Sequence, residues 1–246
     1  MNESIQTISY TNLALAFLPV AAVIIILWRW RSGYGTSIYA IFRMLVQLML
    51  IGYILVYIFE ADNSLIVIGV LAVMLFSSSW ISLRTMKLPK RQMYFKCLLA
   101  IFFGAGTVLV LITQGVLDLH PWYLPSYMVP LAGMIFASAM NSISLAGERI
   151  SAEIDRGLPF DQARITALRA ALIPITNSLF AVGLVSLPGM MTGQILSGVS
   201  PFIAARYQIM VMCMMFSSAG LSSAIFLILI KKDLQQYTKS RSPNPL

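Results

Sequence analysis

Long uncharged apolar stretches alternate with short polar ones along the whole chain. Apolar runs near or above the ~18–20 residues needed to cross a bilayer predict spans over 13–30, 38–59, 65–83, 94–113, 127–146, 172–196 and 207–230. The pattern therefore predicts an all-α fold, a polytopic transmembrane bundle of about seven spans forming one domain over residues 1–246. The sixth run is irregular. It carries no charge from Ala170 to Ala205, yet "VGLVSLPGMMTGQILSG" holds Gly183, Pro188, Gly189, Gly193 and Gly198, poor residues for a straight helix. Pro188 falls nineteen residues after Arg169. That is about 28 Å along a helix, near the far edge of a ~30 Å hydrocarbon layer. Residues from about 188 to 200 are thus expected to form a short outer-mouth element.

Charge gives the pattern a direction. With seven spans, 14 of the 17 Lys and Arg residues fall on one side: Arg29, Arg31, Arg84, Lys87, Lys90, Arg91, Arg149, Arg156, Arg164, Arg169, Lys231, Lys232, Lys239 and Arg241. Arg43, Lys96 and Arg206 lie within or at the ends of spans. The other side has Glu3, Glu60, Asp62, Asp118 and His120, with no Lys or Arg in its loops. The positive-inside bias then puts the N-terminus outside and the C-terminus in the cytoplasm. Composition agrees: the chain is 59% hydrophobic and 11% charged, against about 25% charged in soluble domains. The net charge of +8 belongs to this topological bias, so no nucleic-acid partner is expected. A multi-pass protein of the inner (plasma) membrane follows, with the lipid bilayer as its surroundings.

Chemistry is sparse. The sequence has no Walker A pattern, no GxSxG elbow and no HExxH pair. All nine acids fall in loops or tails, whereas proton-coupled carriers usually hold ionisable groups in their spans. Cys97, Cys213 and His120 offer no zinc, haem or disulfide spacing. The expectation is a transport protein, not an enzyme: a conduit energised from elsewhere, or a small stand-alone channel or carrier.

The longest polar segment, about 147–171, lies on the basic side. "ISAEIDRG" reads as a short helix stopped by Gly157, and "LPFDQARITALRAALIP" as a second helix entering the membrane. Arg156, Gly157, Leu158, Pro159, Phe160 and Arg164 form the corner, with Leu158 and Phe160 as apolar knobs ringed by arginines. Two readings stand: a plug for a partner's socket, or an amphipathic helix on the bilayer surface.

"PLAGMIFASAMNSISLAGERI" (130–150), "ALRAALIP" (167–174), "VGLVSLPGMMTGQILSG" (182–198), "RYQIMVM" (206–212) and "RMLVQLMLIGYIL" (43–55) together resemble the FetB family of small ABC permeases. That family takes in bacterial iron exporters and plant aluminium-tolerance permeases. The resemblance covers nearly the whole chain. It implies the membrane subunit of an ATP-driven exporter, working as a homodimer. It also implies a separate cytoplasmic ATP-binding subunit, docked on the 147–171 segment, that carries the ATP and Mg²⁺ this chain does not bind. Iron or another metal is the implied cargo, with a nucleotide-sugar as the alternative. No metal ligands are assigned by the resemblance.

Polar side chains within the spans are the candidate pathway: Gln47, Asn141, Asn177 and Gln208, with Met190 and Met191 as a gate. Each polar group has a second reading as an interhelical hydrogen-bonding group. Methionine is abundant, 15 residues in all. Thioethers ligate soft metals, and they also pack adaptably. With no His or Asp in the spans, the sequence favours packing, with Met190 and Met191 of two subunits repacking as an outer gate opens.

Overall fold

The computed structural model describes residues 8–60, 63–86 and 90–235. Glu3, Asp62, Lys87, Lys239 and Arg241, used above for orientation, lie outside them. The chain divides into two compact units, Met1–Asp62 and Asn63–Leu246. The first holds α1 (Tyr10–Leu15), α2 (Phe17–Arg29) and α3 (Tyr34–Phe59). The second holds α4 (Ser64–Ser82), α5 (Lys90–Val110), α6 (Pro125–Asp155), α7 (Phe160–Ala181), α8 (Gly189–Leu196) and α9 (Pro201–Leu229). Among the described residues, six helical stretches are long and apolar enough to cross a membrane: Tyr10–Arg29, Tyr34–Phe59, Ser64–Ser82, Arg91–Val116, Pro125–Asp155 and Pro201–Leu229. The fold is an all-α transmembrane helix bundle.

The second unit is built around α6 and α9. Along α6, Met128, Ile135, Ser142, Ile143, Ala146, Ile150 and Glu153 are buried at three-, four- and seven-residue spacings, one face of a 3.6-residue repeat. Along α9, Ala204, Gln208, Val211, Ser218, Ser222, Phe226 and Leu227 do the same. Small residues let backbones approach. A Cβ built on Gly104 of α5 would lie 2.5 Å from Ser222 Oγ and 2.6 Å from the Ser222 backbone nitrogen. Hydroxyls stitch the helices together. Ser138 Oγ donates to the Met215 carbonyl at 2.9 Å, Ser142 and Ser223 share a 2.6 Å bond, and Ser144 Oγ donates to the Ser82 carbonyl at 3.2 Å. All three bonds run between helices or from a helix to the end of its neighbour.

Two elements differ from the sequence pattern. First, α6 runs unbroken to Asp155, so the expected short helix before the corner is its continuation. Its inward face keeps its period through Ala146, Ile150 and Glu153, and nothing between Ala146 and Arg156 interrupts a helix. Second, the run expected over 172–196 is not one helix. It comprises the end of α7, a break over 182–188 and α8. Gly183, at φ +83°, is the stop. The break ties up its own donors: the N–H groups of Leu184, Val185 and Ser186 reach the Ala181 carbonyl at 3.2, 2.8 and 3.2 Å, and Gly183 N–H reaches the Ser186 carbonyl at 3.0 Å.

Its height in the unit can be counted. Ser142 Oγ donates to the Ala171 carbonyl at 3.4 Å and bonds Ser223, so these residues of α6, α7 and α9 share one level. From there α7 continues to Ala181, about 15 Å, whereas α6 reaches Pro125 in about 25 Å and α9 reaches Pro201 in about 33 Å. By this count α7 itself stops roughly 10–18 Å short of those helix ends. Pro188 is therefore not the end of a straight helix from Arg169; the short element expected after it is α8, Gly189–Leu196.

Candidate functional site: a corner and a helix break

The corner is held rigidly. Gly157, at φ +86°, follows the last turn of α6; its N–H reaches the Ile154 carbonyl at 2.9 Å, and Leu158 N–H reaches the Glu153 carbonyl at 3.1 Å. This is the paired bonding of a Schellman cap. Pro159 then precedes α7, where its missing N–H leaves no bond unmade. Glu153 is buried, 4% exposed, and its carboxylate is held by Arg149 at 2.6 Å and Arg156 at 3.3 Å.

Phe160 is not a projecting knob. It is 9% exposed, and the Lys231 ammonium stands 5.5 Å from its ring centroid, with the Arg164 guanidinium at 6.0 Å. Cations at such distances are attracted to the ring face. Asp161 lies 3.5 Å from Arg164 and 4.0 Å from Lys231. The end of α9 is thereby fastened to the start of α7. Leu158 is half-buried against the core, as is Arg164, while Arg156 stays exposed. A notch of about 510 Å³ opens here between Ile154, Pro159, Phe160 and Leu234. Lys231 and Leu234 were not singled out from sequence as corner residues.

The helix break lines a second, partly open cavity of about 330 Å³ between α6, α7, α8 and α9. Met134, Met190, Met212 and Met215 line it, with Gln208 and Ser178. Gln208 is 5% exposed, and its Oε1 has no hydrogen-bond partner. Buried side-chain carbonyls are rarely left so. Of the expected pathway residues, Gln208 and Met190 come together here. Met191 is half-buried outside the lining, and Asn141 and Asn177 lie on exposed faces. Gln47 belongs to the first unit, where its amide oxygen, suitably turned, accepts from Arg43 Nε at 3.1 Å and Nη2 at 3.3 Å. Met134 was missed because its partners are distant in sequence. Among the described residues, no group of three His, Cys, Asp or Glu side chains could hold a metal ion.

Comparison with known proteins places this architecture. The model of the uncharacterised protein family UPF0014 matches residues 10–158 and 159–234. The chain belongs to this family. The UPF0014 membrane protein slr1647 of Synechocystis is 36% identical, covering 82% of this chain and 84% of its own. The probable iron export permease protein FetB of Escherichia coli is 34% identical, covering 89% and 90%. The Protein ALUMINUM SENSITIVE 3 of Arabidopsis thaliana is 30% identical, covering 83% and 82%. No solved structure matches. The chain is thus a multi-pass membrane permease of the UPF0014 family, as its sequence blocks implied.

Proposed function

We propose that the protein is the membrane subunit of an ATP-driven ABC exporter of a metal ion. It works as a homodimer in the inner membrane, with a separate cytoplasmic ATP-binding subunit docked at the 156–164 corner. The carrying observation is the fastening of that corner: the Schellman turn at Gly157 joins α6 to α7, and the Phe160 ring joins α7 to Lys231 at the end of α9. A push on this point moves three helices together, as a coupling element must. The exposed Arg156, the half-buried Arg164 and the notch beside Phe160 suit an acidic, knob-bearing partner. The similarity to FetB supports metal export as the process. In this reading α7, the break and α8 together make the sixth of seven passes, and the corner faces the cytoplasm with the C-terminus.

Affinity purification of the tagged chain together with the ATP-binding subunit of its own organism tests the docking. The wild-type chain should retain the ATPase, and an Arg156→Glu/Arg164→Glu variant should lose it while staying monodisperse in detergent. No retention by the wild type, or full retention by the double variant, rejects the corner as the coupling site. The helix break also favours a second reading, a stand-alone channel with a re-entrant element. That reading predicts flux through the chain alone.

A further inference from the structure

We infer that the cavity at the break in the sixth apolar segment binds a soft monovalent cation, of the Cu(I) or Ag(I) class, through the thioethers of Met134, Met190, Met212 and Met215, with the Gln208 amide oxygen turned to it. As a cargo site this rests on the transport reading above; as a binding site it stands on the cavity itself.

The donor set selects the class. Thioether sulfur is a soft donor that favours d¹⁰ monovalent ions over hard divalent ones. The cavity lining includes no carboxylate, imidazole or thiolate. A di- or trivalent ion would enter it with its charge uncompensated, at a large desolvation cost. A monovalent soft ion loses least water and gains most from sulfur. The four methionines come from three separate places, α6, the start of α8 and α9. Methionine is unbranched and flexible, so its sulfurs can converge on an ion much smaller than about 330 Å³.

Gln208 is the independent sign of a ligand. Its Oε1 is buried and unpartnered on a residue lining the same cavity. A carbonyl dipole left without a donor in an apolar surround costs stability, and a cation recovers it. Sequence reasoning set thioether ligation aside because it saw no partners for the methionines. The fold brings four methionines and Gln208 to the wall of one cavity.

The test is equilibrium Ag(I) binding to the purified full-length chain in detergent, without ATPase or nucleotide. Cys97→Ala and Cys213→Ala remove competing thiols from every sample. The expected result is one Ag(I) per chain, with sulfur neighbours in the X-ray absorption spectrum. Affinity should fall about tenfold or more in Met190→Leu and in Met212→Leu, swaps that conserve volume. It should be unchanged in Met49→Leu of the first unit. Gln208→Leu should weaken Ag(I) binding and raise the thermal midpoint of the ion-free protein, because it removes an orphaned carbonyl. A purely structural glutamine would not give that pair of changes. The inference is overturned if Ag(I) binds the methionine variants as it binds the parent. It is equally overturned if Fe²⁺ in about a hundredfold excess displaces Ag(I), or if only amphipathic organic molecules bind. A failure here leaves the ATPase docking result untouched, and a failure of docking leaves the Ag(I) isotherm standing.

Discussion

At Phe160 two physical effects meet on one ring. Its body fills space beside Leu234, and its face carries Lys231 and Arg164. Phe160→Ala should cost about 3–5 kcal/mol, as large-to-small core changes do. Thermal unfolding in detergent should show a lowered midpoint, largely recovered in Phe160→Leu. Gly157 contributes through its backbone: at φ +86° an L side chain is strained, although nothing lies within 4 Å of a built Cβ. Gly157→Ala should therefore cost about 1–2 kcal/mol with no packing change, and Gly157→Asn less. The same thermal assay reads the ranking. Gly157 was legible in sequence, because a glycine before proline after a helical run has few other uses. The burial of Phe160 was not, because its covering residues lie some seventy positions further on.

The elements of the second unit are placed by small residues as much as by large ones. Gly104 of α5 sits against the backbone of Ser222 in α9, and no flexible side chain there can move aside. Gly104→Ala should push the helices apart and cost about 1–3 kcal/mol or more. Gly106→Ala, with nothing within 4 Å of its Cβ, should be neutral or mildly stabilising. Thermal midpoints of the two variants, compared side by side, check this. Helix positions were legible because long apolar runs have few alternatives in a membrane. The stop of α7 was misplaced by several residues. Proline at 188 is the stronger breaker in an ordinary helix, but Gly183 already ends this one at Ala181. The charge-free run on either side gave no sign of depth. That came only from the hydroxyl bonds that align Ser142, Ala171 and Ser223.

For the molecule as a whole, composition and periodicity decided the class, and sequence blocks along the chain decided the family. Neither revealed the division into units at Asp62 and Asn63, because apolar runs on both sides look alike. Nor did they reveal the cavity at the break, whose walls come from Met134, Ser178, Met190 and Gln208, residues spread over four helices. In the proposed cycle, ATP-driven closure of two partner subunits pushes on two corners, and α6, α7 and α9 carry the motion to the break. Flux across liposomes tests this most directly. The chain would be reconstituted with and without its ATP-binding subunit, with ATP supplied on the subunit's side and metal-ion movement followed. The account predicts flux only when the ATP-binding subunit and ATP are both present, and loss of that flux in Arg156→Glu/Arg164→Glu. Sustained metal flux through the chain alone, with no nucleotide, would contradict it.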